Sequence, residues 1–259
     1  MVLSAVALVF LLAAIGPLVG LFVYVAPRQM LAALVAEEAW NALLLTLRTS
    51  LLATLAAVVL GLPTALFLAR VDFRGKTLCN ALVELPIALP PLVMGVALLL
   101  VWGRQGLLGK YLAAAGHPLS FTAAAVVIAQ FVVAAPFFVR IAKTAIEQVP
   151  TSLEEASVTL GRGLLSTYLR VTLPLAGRGL LTAAITCWAR AMSEFGATIL
   201  FAGAFPGRTQ TAPSAIFSLM QHDIEAAVGL ALIMLVFSGL AFVVAQAGVR
   251  RAGVAGEIA

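Results

Sequence analysis

The chain has 259 residues, of which 63% are hydrophobic and only 10% are charged, and its mean hydropathy is +1.10. Soluble domains are about half apolar and a quarter charged, so this composition excludes a large soluble domain. It predicts a single polytopic membrane domain over residues 1–259, with a core at about 43–247. The net charge of +5 comes from scattered Lys and Arg residues, which argues against nucleic acid as a partner.

Six apolar segments are each long enough to cross a bilayer as a helix, which takes about 20 residues. The segments are 2–26, 42–69, 81–102, 121–139, 179–202 and 224–247. They predict an all-α fold with six transmembrane helices in contact with membrane lipid. The stretch 29–41 is amphipathic and predicts a helix along the membrane interface. Cys79 and Cys187 fall at or within the segments and His117 and His222 between them, which gives neither a disulfide pattern nor metal-ligand spacing.

The third segment carries Glu84 and three prolines, Pro86, Pro90 and Pro91. Proline removes a backbone hydrogen bond and disrupts a helix interior, so this segment is expected to be distorted, with freed carbonyls that find partners inside the bundle. Two interpretations remain open. The distortion places the segment beside a pathway or gate, or it serves helix packing alone.

The distribution of Lys and Arg between the loops predicts the orientation. With the N-terminus inside, the inner loops hold ten basic residues: Arg70, Arg74, Lys76, Arg140, Lys143, Arg162, Arg170, Arg178, Arg250 and Arg251. The outer loops hold four: Arg28, Arg104, Lys110 and Arg208. This excess predicts that both termini and the long loop at 147–174 are cytoplasmic.

The loop 147–174 carries a helical pattern of its own between two apolar segments. Thr151 or Ser152 is predicted to cap a helix, with Glu154 or Glu155 as the capping partner. The pattern predicts a short helix that is displayed at the membrane surface, which is the form of a docking element.

Glycine and proline residues are expected to end the helices in the rest of this loop. Gly161 and Gly163 are expected to end the first helix. A second helical run over 164–171 leads to Pro174, and because the residue before a proline disfavours helix, the run is expected to stop there.

The fifth segment contains two charged residues, Arg190 and Glu194, four positions apart and therefore on one helical face. Charges inside a membrane are costly and face the bundle interior or water. Three roles remain open: an ion pair that fixes helix packing, an anion path in which Arg190 supplies positive charge, and proton coupling through Glu194. Gly196 and Ala197 follow and are small enough for close helix approach.

Residues 203–211 form a polar outer loop rich in turn-forming residues. Arg208, with its hydrogen-bonding neighbours, is predicted to contact an oxyanion or a partner protein, or to be simply solvated. The candidate residues of the translocation pathway or gate are Arg190, Glu194, Gly196, Arg208, Thr209 and Gln210.

The spacing of the inner loop resembles the EAA signature of ABC importer permeases, which reads E-A-A, three residues, G, nine residues, I-x-L-P. Residues 155–157 (EAS), Gly161 and 171–174 (VTLP) match it, with Ser157 in place of the last alanine. The resemblance implies a type I ABC importer permease fold, in which this loop is the coupling helix that inserts into a cleft of a separate ATPase subunit. The residues expected to couple are Glu154, Glu155, Ala156, Ser157, Gly161, Leu173 and Pro174.

Further segments resemble the molybdate permeases of the ABC type. These segments are 85–91, 193–198, 201–203 and 206–211. The chain departs from that family's common pattern at Ser193, where Gly is frequent, and at Ala204, where Asn is frequent. The resemblance implies import of a tetrahedral oxyanion, molybdate or tungstate, by a homodimer in a bacterial or archaeal inner membrane. It also implies an extracytoplasmic substrate-binding protein as a partner.

The chain has no P-loop pattern, G-x-x-x-x-G-K-[ST], and is not expected to be an enzyme. The resemblance implies that ATP and magnesium are used by the ATPase subunit, and no cofactor or metal is expected on this chain. The alternatives are a sulfate or thiosulfate ABC permease and a proton-coupled secondary transporter. A membrane-embedded enzyme is disfavoured because H-E-x-x-H, G-x-S-x-G and a pair of intramembrane aspartates are all missing from the sequence.

Overall fold

The computed structural model describes residues 2–24 and 37–255, with side chains at 6–24 and 37–243. The helices in these ranges are α1 (Val2–Tyr24), α2 (Glu37–Arg70), α3 (Lys76–Ala88), α4 (Pro91–Trp102), α5 (Gly109–Ala114), α6 (Ala123–Glu147), α7 (Thr151–Thr159), α8 (Leu164–Thr167), α9 (Leu173–Leu175), α10 (Gly177–Met192), α11 (Gly196–Phe201), α12 (Ala212–Leu219) and α13 (Ile224–Ala255). A π-helical turn, Tyr168–Thr172, joins α8 to α9. The all-α fold predicted from the sequence is confirmed.

The core is formed by α2, α6 and α10, which pack on one another through small residues. Ala57 on α2, Ala142 on α6 and Ala183 on α10 are all fully buried. Gly61 on α2 faces Phe138 so closely that an added Cβ would lie 2.9 Å from the phenylalanine Cδ1. Small residues let helix backbones approach, and van der Waals packing is a main attraction between helices inside a bilayer.

Within the described residues, four helices are long and apolar enough to cross a membrane, and two bent helix pairs bring the number to six if each pair is one span. The four are Val6–Tyr24, Glu37–Arg70, Ala123–Glu147 and Ile224–Val243. The pairs are α3 with α4, bent by 111°, and the α8–α9 segment with α10, bent by 75°. The first, second, fourth and sixth predicted segments overlap the four continuous helices, and the third overlaps the bent pair of α3 and α4. The fifth predicted segment, 179–202, shares only residues 179–192 with the second bent pair.

The distortion predicted for the third segment is confirmed, and it is a complete break. Between α3 and α4, Leu89 has an extended backbone, with φ −84° and ψ 141°. A residue that precedes proline avoids the helical region, and Leu89 precedes Pro90. Pro91 then opens α4, at a position where a missing N–H costs no helical hydrogen bond.

The prediction of one continuous helix over 179–202 is wrong. The helix α10 ends at Met192 and α11 begins at Gly196, so three residues interrupt an apolar stretch. At this break, Oε1 of Glu194 accepts the N–H of Ala197 at 2.8 Å. This side-chain acceptor takes the place of a helical carbonyl at the start of α11.

The prediction that the second loop helix stops at Pro174 is also wrong. The helix continues because the preceding turn is π-helical, with the N–H of Leu173 bonded to the carbonyl of Tyr168, five residues back. This wider turn changes the backbone register and relieves the clash that a proline ring makes with the carbonyl four residues earlier.

Two sequence predictions fall outside what the structure describes. The interfacial helix over 29–41 lies largely in the undescribed range, and its last residues belong to α2, which begins at Glu37. Arg28 lies in the same range, and the side chains of Arg250 and Arg251 lie beyond the last described side chain.

Candidate functional site

The loop helix α7 ends in a motif that requires glycine at position 161. The N–H of Arg162 donates to the carbonyl of Ser157 at 3.2 Å, and that of Gly161 to the carbonyl of Val158 at 2.9 Å. These are the two hydrogen bonds of a Schellman motif. Gly161 has φ 84°, a left-handed conformation that costs a residue with a Cβ about 1–2 kcal/mol. The predicted end of the helix is confirmed.

The start of α7 differs from the prediction. The helix begins at Thr151, Pro150 occupies the capping position, and no side chain caps the free N–H groups. Capping by Thr151 or Ser152 is therefore wrong. The fixed φ of Pro150, −60°, directs the chain into the helix, so Thr151 is already helical and cannot serve as the cap.

Glu154 on α7 is bound within the protein. Its Oε1 lies 2.7 Å from Nη2 and 2.9 Å from Nε of Arg70, the last residue of α2. The same Nη2 donates to the carbonyls of Ile146 and Val149, each at 2.9 Å. The Arg70 and Glu154 side chains are only 9% and 13% exposed, so solvent and salt screen the pair less than a surface ion pair. Arg70 therefore joins the ends of α2 and α6 to α7.

Two hydroxyl contacts tie α7 to the helix that follows it. Thr172 Oγ1 donates to Glu154 Oε1 at 2.7 Å, and the hydroxyls of Ser157 and Thr167 lie 2.9 Å apart. Ser157, Thr167 and Thr172 are buried, so each hydroxyl needs a partner. The serine that replaces the last alanine of the EAA pattern thus gains one. The helix α7, the π-helical turn and the end of α2 form one hydrogen-bonded unit.

The outward surface of this loop exposes large apolar side chains beside polar ones. Glu155 and Ala156 are exposed, and the side chains of Leu160, Leu164 and Leu165 are 83%, 63% and 70% exposed. A cluster of exposed apolar residues outside the lipid-facing helices marks a protein contact. The sequence analysis missed these three leucines, although their concentration in a predicted cytoplasmic loop was an available signal.

The last two residues of the EAA-like pattern lie in α9. Leu173 is half-buried and Pro174 is exposed. They stand between the π-helical turn and the 75° bend into α10. This position puts them on the only covalent path from α7 to the fifth span.

The structure brings Arg190 and Glu194 together at the break between α10 and α11. Arg190 Nη2 lies 2.9 Å from Glu194 Oε2, and the glutamate side chain is 1% exposed. Its other oxygen is bonded to the N–H of Ala197, so one carboxylate joins the end of α10 to the start of α11. The two residues meet across a turn and not along a continuous helical face. Among the described side chains, no group of three His, Cys, Asp or Glu lies close enough to hold a metal ion.

The two broken spans touch each other at their breaks. A Cβ added at Gly196 would lie 2.9 Å from Pro91 Cβ, and one added at Gly95 would lie 3.0 Å from Ala197 Cα. Ordinary contacts between carbon atoms are about 3.5–4.0 Å, so both positions need glycine. The close approach predicted from Gly196 and Ala197 is confirmed, and the helix that approaches is α4.

A buried glutamine that the sequence analysis missed lies in α6. Gln130 is completely buried, and neither polar atom of its amide has a hydrogen-bond partner among the described residues. The hydroxyl of Thr198 on α11 is in the same state. Polar residues inside membrane spans face the bundle interior or a water-filled path, and a glutamine within an apolar segment was the signal that pointed to this one.

The polar loop after α11 is a compact turn around one carbonyl group. The N–H groups of Arg208, Thr209 and Gln210 lie 3.1, 3.0 and 3.1 Å from the carbonyl oxygen of Phe205. The hydroxyl of Thr209 accepts the N–H of Phe205 at 3.1 Å. Thr209 is therefore buried and used inside the loop, whereas Arg208 is exposed and Gln210 lines a surface cavity.

This chain is similar to known membrane transport proteins in sequence and in fold. A family model described as "Binding-protein-dependent transport system inner membrane component" matches residues 57–253. Over 224 residues the chain is 39% identical to the molybdenum transport system permease protein ModB of Mycobacterium bovis, which covers 86% of this chain and 85% of that protein. Over 249 residues it is 32% identical to the probable transport system permease protein NifC of Clostridium pasteurianum, which covers 95% and 86%. A solved bacterial ABC transporter that imports the polysaccharide alginate has the same fold, with a TM-score of 0.78 at 16% identity over 96% of this chain and 94% of that one.

Proposed function

This chain belongs to the family of binding-protein-dependent transport system inner membrane components, and we propose on that premise that it is the permease subunit of an ATP-driven molybdate importer. It is a membrane transport subunit and not an enzyme. The proposal of molybdate as the substrate rests on the 39% identity to a molybdenum permease over 86% of the chain. Tungstate has the same tetrahedral form and charge and is included in the proposed substrate class.

A separate ABC ATPase is the proposed partner on the cytoplasmic side. The exposed leucines at 160, 164 and 165, together with Glu155, supply an apolar surface with one acidic group for a basic residue of that subunit. ATP and magnesium are used there, because this chain lacks a P-loop. The proposal places the termini and α7 in the cytoplasm, which is the side indicated by the basic loops.

A second copy of the chain and an extracytoplasmic binding protein complete the proposed assembly. The apolar window of α1, Val6–Tyr24, buries none of its residues within the chain, and its surface is available to lipid and to the second copy. A pathway between two copies lets water line the route, which lowers the desolvation cost of moving a dianion across a membrane. The binding protein delivers the anion from the outside of a bacterial or archaeal inner membrane.

The hydrogen-bonded unit around Glu154 supplies the mechanical link in this proposal. When the ATPase subunits close, α7 moves with them, and Arg70 and Thr172 carry the displacement to α2 and to the π-helical turn. The turn leads through α9 into α10, whose far end is the break at Glu194. The contact between Gly196 and Pro91 then transmits the motion to the broken third span. We place the gate at this contact of two breaks.

The alternatives differ in substrate or in driving force. A sulfate or thiosulfate permease would keep the same assembly with another tetrahedral anion. A proton-coupled transporter would use Glu194 as the proton-carrying group, but Oε1 of this carboxylate accepts the N–H of Ala197 and Oε2 lies 2.9 Å from Nη2 of Arg190, to which it is paired by charge and not by a hydrogen bond.

The test is anion-stimulated ATP hydrolysis. The chain is reconstituted in proteoliposomes with its co-purifying ATPase and a binding protein, and hydrolysis is measured with molybdate, tungstate, sulfate or no anion. Stimulation by molybdate and tungstate alone supports the proposed substrate class. Stimulation by sulfate keeps the importer and changes its cargo, and failure of any ATPase to co-purify contradicts the proposed assembly.

A further inference from the structure

We propose that Arg48, Asn41 and Gln210 form a binding site for a tetrahedral oxyanion at the outer end of α2. This inference rests on the proposed function and extends it, because the site would bind the anion when it reaches the permease. It is separate from the Arg190–Glu194 pair and from the coupling helix.

The site is a cavity of about 320 Å³ between the first turns of α2 and the compact loop after α11. It is lined by Asn41, Leu44, Leu45, Arg48, Gly207 and Gln210. One water occupies about 30 Å³ of liquid volume, so the cavity admits a tetrahedral oxyanion together with part of its hydration shell. Gly207, with φ 71° and no side chain, leaves the loop backbone open to the cavity.

Arg48 has no ion pair with any of the described residues. The ion pairs among them involve Arg70, Lys76, Lys143 and Arg190. Arg48 is exposed to solvent and lines the cavity beside Leu44 and Leu45, so its positive charge is accessible to an anion that enters from outside. An accessible guanidinium without an ion pair is free to form charge-assisted hydrogen bonds with an oxyanion.

The donors around the cavity match the ligand class. A guanidinium offers N–H groups in a planar fork that binds two oxygens of an oxyanion at once. Asn41 and Gln210 each add an amide with two N–H donors. Because no carboxylate lines the cavity, nothing in it repels a dianion.

Arg48 lies at a level along α2 where it can receive an anion from outside. Arg70, at the cytoplasmic end of the helix in the proposed orientation, is 22 positions later, which at 1.5 Å per residue is about 33 Å. The hydrocarbon core of a bilayer is about 30 Å thick, so Arg48 stands at the opposite surface. Two sources of a tetrahedral oxyanion exist at that surface: free molybdate and the phosphate of a lipid headgroup.

The first measurement is equilibrium dialysis of labelled molybdate against the purified, delipidated full-length permease, with no ATPase or binding protein present. Arg48→Gln is compared with Arg104→Gln, which removes an exposed outer arginine that does not line the cavity. We expect Arg48→Gln to weaken molybdate binding about tenfold or more, because a charge-assisted, bidentate contact is lost, and Arg104→Gln to leave it unchanged. Arg48→Lys, which keeps the charge and loses the fork, should fall between them.

The second measurement separates the two sources. Phospholipid that co-purifies with each variant is quantified as phosphate before the delipidation step. If Arg48→Gln retains less phospholipid while molybdate binding is unchanged, the oxyanion is a lipid headgroup. If neither quantity changes relative to Arg104→Gln, the site does not exist. Stimulation of ATP hydrolysis by molybdate is measured separately on the wild-type assembly. The proposed function can therefore be supported when the anion site is disproved, and the anion site can be supported when the proposed function is disproved.

Discussion

Arg70 Nη2 and Glu154 Oε1 lie 2.7 Å apart, although 84 positions separate the two residues in the chain. This pair connects the exposed helix α7 to the end of the second membrane span. Thr172, in the π-helical turn that leads to the fifth span, donates a hydrogen bond to the same carboxylate. Of two adjacent glutamates, Glu154 is therefore internal and Glu155 faces solvent.

Replacement of Glu154 and of Glu155 by alanine should have different effects. Glu154→Ala leaves Arg70 largely buried without its carboxylate, and should lower the stability of the isolated permease by about 1–3 kcal/mol. Glu155→Ala should leave this stability unchanged and reduce the amount of ATPase that co-purifies. Thermal unfolding in detergent and pull-down yields check the pair, and equal destabilisation by both would contradict the assignment.

Glycine is required at 161 and not at 163. Gly161→Ala places a Cβ at φ 84° and should cost about 1–2 kcal/mol, which disturbs the end of α7 and lowers ATPase docking. Gly163 has φ −69° and open space around a Cβ, so Gly163→Ala is the matched control. ATPase co-purification and coupled hydrolysis should fall for the first variant only. Full coupling in Gly161→Ala would show that this backbone conformation is dispensable.

The contact between the two breaks should tolerate no added methyl group. Gly196→Ala pushes a Cβ to 2.9 Å from Pro91, and overpacking of this kind costs about 1–3 kcal/mol. Gly239 in α13 has open space around it, so Gly239→Ala controls for the change of residue type. Substrate-stimulated hydrolysis and uptake should be impaired for Gly196→Ala alone. Normal uptake by this variant would show that the gate does not lie at this contact.

The Arg190–Glu194 pair should behave as a unit. Either single change to glutamine leaves a charge without its partner inside the membrane, and each should reduce stability. The double variant should recover part of the loss, with an interaction free energy of about 0.5–3 kcal/mol in a double-mutant cycle of thermal unfolding. Additive losses would mean that the pair contributes nothing to the break that it spans.

The exposed leucines of the inner loop should be needed for assembly only. Leu160→Ser and Leu164→Ser are expected to reduce the recovery of ATPase with the permease, because apolar surface at the contact is lost. Leu107→Ser, at a leucine that is 71% exposed in the outer loop, is the control. Thermal unfolding of the permease alone should be the same for all three. Undiminished recovery with Leu160→Ser would place the ATPase elsewhere.

The number of spans and their order were predictable because each segment carries its own hydropathy. The break in the third segment was predictable in outline, since three prolines mark it locally. The break at Glu194 was not predictable, because no proline marks it and the N–H of Ala197 donates to the side chain of Glu194 only in the folded chain. The continuation through Pro174 depends in the same way on a π-helical turn.

The candidate site was likewise predictable from the sequence only where local chemistry determines it. The helix end at Gly161 follows from local backbone chemistry and was predictable. The internal role of Glu154 was not, because its partner Arg70 lies on another span and is known only from the fold. The cavity at Arg48 was not predictable either, since the loop that completes it follows 150 or more positions later, at Gly207 and Gln210.

The most direct test of the proposed importer is accumulation of labelled molybdate in proteoliposomes that contain the complete assembly. In the proposed orientation, we expect uptake against a concentration gradient when ATP is supplied on the side of α7, and none when ATP is withheld or when a pH gradient replaces it. Uptake that is driven by a pH gradient without ATP would contradict the account and would make Glu194 the residue to examine.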